Sequence, residues 1–457
     1  MGGHPNIATM TDSTASSSPS AAGPAVVTPP GALGPSPVAA GDLQMTLIEA
    51  RATIGAALRP LLCADVPGDV QDLPLLQALG RVLAQPLLSP VAVPPHDNSA
   101  MDGYAFSGTA LQTGQPTCLR AVATVLAGAP YTGTVADGEC VRIMTGAVMP
   151  AGLDTVVPLE LCQVLADEVL IAPGVLRRGE NLRQRGEDLA LGQPALEAGR
   201  RLRPADLGLV ASLGIATVRV WRRLRVAVFS TGDELRGPGQ PLAPGCIYDS
   251  NRYSLMAALQ RLGVDVVDLG LVRDDPAALR ATLEQAVARA DVLLTSGGVS
   301  AGDADHTRAL LSQMGQVVFW KVAMRPGRPF AFGPVQAGGR SSWMFALPGN
   351  PVAALVTFYA FVREAVLQLA GALPEPLPVL QARSVHALRK RPGRTELQRG
   401  LVSPAPGGGW QVQVAGSQGA GILRSMSQAN ALVVLGHDQG AVAADELVDV
   451  WLFDGLV

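Results

Sequence analysis

Apolar positions recur along this chain with two different periods, and the changes of period divide it into regions. Between Leu43 and about Leu62, Leu47, Ile48, Ala52, Ile54 and Leu58 recur at helical spacing, and a second helix is expected around Pro74 to Leu83. Four prolines between Pro86 and Pro95 then hold the chain extended, because each lacks a ladder donor and biases its predecessor toward β or polyproline geometry. From residue 97 to 220, short β-like runs (Arg120–Leu126, Cys140–Met144, Thr155–Pro158, Glu168–Ile171) alternate with Gly and Asp turns, which predicts a mostly β region.

The pattern changes at Leu224, where Leu224-Arg-Val-Ala-Val-Phe-Ser230 opens a strand. Helical spacing follows at Arg252–Leu262, Pro276–Ala290, Thr307–Met314 and Pro351–Leu369. Strand-like runs intervene at Val264–Leu271, Val292–Leu294, Val317–Val322 and Trp343–Leu347. Such alternation predicts a parallel sheet with helices on both faces. Gly371 to Pro378 reads as a Pro-rich linker, and the runs Trp410–Val414, Ala431–Leu435 and Leu447–Leu452 predict a small all-β terminal domain. The expected division is therefore an extension at 1–42, an N-terminal region at 43–222 with its mostly β lobe at about 97–183, an α/β domain at 223–372 and a β domain at 373–457.

Composition narrows the function. The chain has 457 residues, is 48% hydrophobic and only 16% charged, and carries a net charge of −3, so no strong field favours nucleic acid or an anionic membrane. Aromatics at 4% argue against base-stacking platforms. Five cysteines without a CxxC pair and five dispersed histidines read as reduced thiols in the cytoplasm, with no zinc site. No uninterrupted apolar run reaches the roughly 18 residues of a membrane helix. Residues 1–42 contain no Lys or Arg and are rich in Ala, Ser, Pro and Gly, which predicts disorder and no secretory signal.

The candidate chemistry lies in the turns. Thr295-Ser-Gly-Gly, at the end of an apolar strand and before a helix, aims backbone N–H groups at whatever lies above the sheet, a geometry that favours an anion. Yet Asp303 and Asp305 share that loop, and carboxylates repel a bare phosphate. A phosphorylated ligand bridged by a divalent cation, Mg²⁺ by preference, reconciles the two. Ser230-Thr-Gly-Asp-Glu-Leu235 and Leu347-Pro-Gly-Asn-Pro-Val352 are turns of similar design, expected at the same carboxyl edge together with Asp274 and Asp275. Lys321, Arg325 and Arg328 follow a strand and suit a tetrahedral oxyanion. In the β region, Asp102-Gly103 fits a type I′ turn, and Thr145 is a candidate hydroxyl contact. Arg183, Arg185, Glu187 and Asp188 read as a charged surface network.

Taken in order, these stretches resemble one family. Asp97-Asn-Ser-Ala-Met-Asp-Gly-Tyr-Ala105, Arg142-Ile-Met-Thr-Gly-Ala147, Arg185-Gly-Glu-Asp188 and Ser230-Thr-Gly-Asp-Glu-Leu235 are similar to motifs of the molybdopterin molybdenumtransferases, the MoeA proteins and the gephyrin E domain. So are Ser296-Gly-Gly-Val-Ser300 with Gly302-Asp-Ala-Asp305, Pro326-Gly-Arg-Pro-Phe330, Leu347-Pro-Gly-Asn-Pro-Val352 and Leu423-Arg-Ser-Met-Ser-Gln-Ala-Asn-Ala431. The similarity runs from about residue 43 to 457.

The resemblance implies a multidomain α/β plus β fold. Its parts are a central three-layer molybdopterin-binding-like α/β domain, a composite mostly β N-terminal region and a small C-terminal β-barrel-like domain. It implies a homodimer with a site shared between protomers, and insertion of molybdate into adenylylated molybdopterin with Mg²⁺, releasing AMP and molybdenum cofactor. Transient contact with other enzymes of cofactor synthesis or with acceptor enzymes also follows.

Carried onto this sequence, Glu234, Asp274 and Asp305 would handle Mg²⁺ or pyrophosphate. Ser230, Thr231, Gly232, Asp233, Gly297, Gly298, Ser300, Pro348, Gly349 and Asn350 would cradle the pterin–phosphate part. Lys321, Arg325 and Arg328 would attract molybdate, with Arg394 and Ser425 facing the same region. Asp102 and Thr145 would come from the partner protomer. The family usually carries lysines where this chain has Arg325 and Arg328, so a planar fork replaces a point charge, which bears on molybdate against tungstate. His306 stands where Tyr is common and is read as a packing change. Two other readings compete: a molybdopterin adenylyltransferase, which shares the α/β domain but does not need the flanking regions, and a non-catalytic binding scaffold of the same fold.

Overall fold

The computed structural model describes residues 1–2, 44–298 and 310–455. The expectations for the N-terminal extension, for Ser300, Asp303, Asp305 and His306, and for a helix beginning at Thr307 lie outside those residues.

Continuous apolar runs between Arg225 and Leu347 form the middle layer of an α/β sandwich. Along each strand successive side chains alternate faces. Val226, Val228, Leu294, Phe332 and Phe345 enter one core, with the helices Leu47–Ala57, Asn251–Leu262 and Pro351–Leu369. Ala227, Phe229, Leu293, Met344 and Ala346 enter the opposite core, with the helix Pro276–Arg289. Burial on both faces is why these strands lack polar alternation.

The sheet runs Gln44–Met45, Val318–Val322, Pro329–Ala337, Arg340–Leu347, Val292–Ser296, Arg225–Thr231, Asp265–Val272. Its pairings are parallel except those of Pro329–Ala337, which is antiparallel to both neighbours. This corrects the wholly parallel expectation. Gly338 and Gly339, at φ +55° and +75°, make the two-residue turn of a hairpin that the prolines at 329 and 334 disguised.

Two helical expectations also change. Leu47–Ala57 starts on a Thr46–Glu49 capping box and stops at Leu58 instead of reaching Leu62, because Arg59 precedes Pro60 and is barred from helix. Pro74–Leu83 is not a helix. Val70–Pro74 pairs with Thr217–Trp221, a single 3₁₀ turn spans Leu75–Ala78, and Leu83 bridges to Val220. Strand pairing there outweighs a local pattern whose Leu76 is left 86% exposed. The helix Pro204–Ser212 stands within the region expected to be β. The 19-residue helix Pro351–Leu369 is long and apolar enough for a bilayer by composition, but 83% of its apolar window is buried in the core.

In the N-terminal region six strands form a lobe in the order Thr155–Pro158, Gly103–Phe106, Glu139–Ile143, Thr117–Val125, Glu168–Ile171, Cys162–Leu165. Arg222 fastens this region to the α/β domain. Its Nε donates to Asp69 at 2.8 Å and its two terminal nitrogens to both oxygens of Asp291 at 2.8 and 2.9 Å. At the C-terminus, Thr395–Pro404, Trp410–Val414, Leu380–Ser384, Leu447–Leu452 and Ala431–Leu435 pair in sequence and close back on Thr395–Pro404, a five-stranded barrel. Met324–Arg325, from the α/β domain, adds in parallel to Thr395–Glu396 and so couples the two domains.

Phe345 is fully buried, with Phe332 at 5.1 Å and Phe330 at 6.4 Å between ring centroids. Phe345→Ala is expected to lower stability by about 3–5 kcal/mol. Urea unfolding followed by tryptophan fluorescence measures this; an unchanged midpoint would mean that the cluster does not organise the core.

Candidate functional site

Three parallel strands end at one edge of the sheet, and their turns enclose a cleft of 690 Å³. Ser230, Thr231, Gly232 and Glu234 line it from the first turn, Ser296, Gly297 and Gly298 from the second, and Gly349 and Asn350 from the third. The first two turns press together. Gly297 has φ +98°, and a Cβ there would lie 2.6 Å from the Thr231 carbonyl oxygen, so only glycine fits. Its N–H donates to the Leu347 carbonyl at 3.1 Å, and the Gly232 N–H to Val272 at 3.4 Å. These two donors therefore knit the floor together instead of pointing at a ligand, contrary to the expectation from the turn sequence. The Thr231 hydroxyl, by contrast, is an unpartnered buried oxygen at the cleft wall.

Asn251 ties the turns to one another and was missed in the sequence. Its Nδ2 donates to Ser296 Oγ and to the Gly349 carbonyl, both at 2.7 Å, and Ser296 Oγ donates on to Pro348 at 3.2 Å. Beside it Asp249 accepts from Ser230 Oγ at 3.1 Å and from Arg252 Nε at 2.9 Å. The signal was the polar run Tyr248-Asp-Ser-Asn251, which reads simply as the lead into a helix. Arg273, Asp249 and Tyr248 also line the cleft and were not singled out.

Glu234 and Asp274 face the same cleft, and the Glu234 carboxylate folds back over Gly232. Asp233 accepts from the Asp274 N–H at 3.3 Å, while Asp275 caps the helix Pro276–Arg289 through the Ala278 N–H at 2.8 Å. Asp233 does not line the cleft itself. Among the described residues no group of three or more His, Cys, Asp or Glu could hold a metal as a protein cage. The two carboxylates of Glu234 and Asp274 at one cleft fit Mg²⁺, which keeps several waters and needs no all-protein cage.

A second cavity of 180 Å³ adjoins the first, and Pro348, Gly349 and Asn350 belong to its walls. Arg325, Pro326, Gly327 and Pro329 form another side, and Gln418 and Ala420 of the C-terminal domain a third. Gly327, at φ +102°, lets the chain pass where a Cβ would strike Thr357 Oγ1 at 2.4 Å. Lys321 and Arg328 are exposed but are not among the lining residues. Arg394 is also absent from both walls and pairs with Glu396, its Nε donating to Oε1 at 3.0 Å. Ser425 is buried at 2% exposure, donates to the Ile422 carbonyl and accepts from Arg399, so its hydroxyl does not open onto either cavity.

Asp102 and Thr145 lie in the N-terminal lobe and line neither cavity of their own chain. They are joined: the Thr145 N–H and hydroxyl both donate to Asp102 Oδ1 at 2.7 Å. These bonds, backbone first, hold the Asp102 carboxyl below the usual carboxylate range. Gly103 is a strand residue packed on the Val157 carbonyl, not part of a type I′ turn. Leu182–Arg183 pairs with Asn98–Ser99, and Arg185 N–H donates to Asp97 at 2.7 Å, so the three motif segments of this lobe meet in one place.

Comparison with known proteins agrees across the chain. The MoeA N-terminal region (domain I and II) matches residues 45–214, a probable molybdopterin binding domain 227–368 and the MoeA C-terminal region (domain IV) 381–453. A molybdopterin molybdenumtransferase of Haemophilus influenzae is 40% identical over 392 residues, covering 86% of this chain and 96% of that protein. One from Nostoc sp. is 37% identical over 376 residues, covering 81% and 86%. The solved structure of the molybdopterin biosynthesis moeA protein of Pyrococcus horikoshii is 25% identical, covers 90% of this chain and 100% of that one, and superposes with a TM-score of 0.75.

Thr145→Val removes the hydroxyl donor and keeps the N–H. The Asp102 carboxyl is therefore expected to titrate higher than in the wild type, partway back toward the ordinary range. Carbon-detected NMR titration reads the midpoint; no movement would show that the hydroxyl bond does not form in solution.

Proposed function

The chain belongs to the molybdopterin molybdenumtransferase family, transferases that insert molybdenum in molybdenum cofactor biosynthesis, and we propose the form this reaction takes in its two joined cavities. The substrates are adenylylated molybdopterin, in the large cleft, and molybdate, in the small one. The products are AMP and molybdenum cofactor. One observation carries the reading: a carboxylate-bearing cleft at the strand ends and an arginine-bearing cavity share Gly349 and Asn350 as a common wall.

Glu234 and Asp274, with phosphate oxygens of the substrate, would hold Mg²⁺, which when bound supplies charge neutralisation at the phosphoanhydride. The protein's own part is positioning. Asn251 and Ser296 hold the second and third turns at fixed separation. Thr231 lines the wall beside the phosphate-bearing part. Arg325 supplies a guanidinium for a tetrahedral dianion, and Lys321 and Arg328 extend the field that draws it in. Because chemistry at a phosphoanhydride needs orientation more than a protein nucleophile, this inventory suffices.

Asp102 and Thr145 act from a second protomer, so the working unit is a homodimer. The reading is supported by their junction in a lobe whose own chain gives them no cavity. The protein works in the cytoplasm, in keeping with five unpaired thiols. Gln418, Ala420 and Gly421 of the barrel domain help line the cavities, which favours the insertase over an adenylyltransferase that needs no such domain.

Glu234→Gln and Asp274→Asn are each expected to cut turnover of adenylylated molybdopterin by about 100-fold or more, with unchanged circular dichroism. Full turnover in both would remove the carboxylates from the mechanism. Mixing inactive Asp102→Asn with inactive Glu234→Gln under subunit exchange is expected to restore activity, since one mixed site carries neither change. No recovery in verified heterodimers would place Asp102 outside the shared site.

A further inference from the structure

We propose that the junction of the N-terminal region and the α/β domain carries an anion site of its own, lined by Arg81, Arg201 and Arg223, for one compact tetrahedral oxyanion such as inorganic phosphate.

The chain spells Arg-Arg-Leu-Arg twice, at 200–203 and at 222–225. In both copies the leucine is the anchor, and Leu202 and Leu224 are each 1% exposed. In both copies the first arginine is held by carboxylates. Arg200 pairs with Asp206 at 2.9 Å, and Arg222 with Asp69 and Asp291 at 2.8 Å. The second arginine differs. Neither Arg201 nor Arg223 has a hydrogen bond or ion pair from its side chain among the described residues, and both line one cavity of 30 Å³.

That cavity lies between the domains and apart from the strand-end cleft. Arg81 and Trp221 stand on one side, and the carboxyl ends of the helices Asn251–Leu262 and Pro351–Leu369 on the other. Arg81 is 9% exposed, yet only its Nη2 is bonded, to Gln71 Oε1 at 2.8 Å and to the Trp221 carbonyl at 2.7 Å. The volume admits about two water-sized groups, and Arg223 is exposed at the rim. A compact anion with one face to solvent fits there, whereas an enclosed nucleotide does not.

The charges point the same way. Burial, and then the nearby charge of Arg223, lower Arg81 from the ordinary arginine value, while Asp265 opposes them without bonding to any of the three arginines. Like charges gathered at a half-buried cavity repel, and an anion between them relieves this. The alternative is that the arginines serve the carbonyl ends of the two helices, which favour cations. The bonds do not bear that out: the acceptors of Arg81 are Gln71 and Trp221, and none of the three side chains donates to either helix. Guanidinium forks match the oxygens of a tetrahedral anion. Arg222 lines the same cavity and already fastens the domains through Asp69 and Asp291, so a bound oxyanion would add to that fastening.

The test is a thermal-shift titration of the full-length protein with sodium phosphate, at ionic strength held constant with sodium chloride. It compares wild type, Arg223→Gln, Arg201→Gln and Arg325→Ala. Phosphate is expected to raise the wild-type melting temperature by roughly 3 °C or more at saturation. The rise should persist in Arg325→Ala, which alters only the small cavity, and fall by about half or more in Arg223→Gln and Arg201→Gln. Arg223 is exposed, so Arg223→Gln decides the outcome even if Arg201→Gln fails to fold. AMP at the same concentration should give no rise that depends on Arg223. No wild-type rise beyond the chloride control overturns the site. So does a rise that Arg223→Gln keeps and Arg325→Ala loses, which would put phosphate in the small cavity. An Arg223-dependent rise with AMP but not with phosphate overturns the assignment to a compact anion.

Discussion

The parallel alignment of Arg225–Thr231, Val292–Ser296 and Arg340–Leu347 is the constraint on which the rest depends. Parallel strands deliver their carboxyl ends to the same edge, so three turns distant in sequence become neighbours. Their spacing is then set by short polar links. Asn251 reaches both Ser296 and Gly349, and Gly297 admits the Thr231 carbonyl where any side chain would collide. Loosening this edge would move both cavities at once, because Gly349 and Asn350 belong to each.

Around that edge the protein uses charge sparingly. Arg222 is held by two aspartates and acts as a fastener between domains, and Arg252 by Asp249 and Asp268 under the cleft. Arg325 and Arg399 are different. One is exposed at a cavity and the other is buried on carbonyls, and neither is neutralised by a carboxylate among the described residues. In a chain with 16% charged residues, this contrast separates cations paired with carboxylates from cations that are not.

The domains are joined by strands rather than by surface contact alone. Gln44–Met45 completes the α/β sheet from the N-terminal side, and Met324–Arg325 completes the barrel from the α/β side. Each insertion places backbone hydrogen bonds across a boundary that composition would mark as a linker. The cavity walls therefore inherit the rigidity of two sheets.

The sequence by itself determined the local elements and the chemistry at the turns. Thr155–Pro158, Glu168–Ile171, Trp410–Val414, Ala431–Leu435 and Leu447–Leu452 are strands over the spans their apolar runs predict, because burial and alternation are properties of a few neighbouring residues. Glu234, Gly297, Gly349 and Asn350 were legible as residues of the strand-end turns that line the cleft, because a Gly turn bearing an acid or amide is a local signature. Tertiary structure alone decided the rest. The closure of the barrel, the turn-bridging role of Asn251 and the burial of Ser425 and Arg399 all depend on partners tens of residues away, whereas the Pro329–Leu347 hairpin pairs near neighbours and was hidden by its prolines. The physical reason is common to them: a hydrogen-bond donor's role is fixed by which acceptors the fold brings within about 3 Å, and a one-dimensional pattern records the donor but not the acceptors.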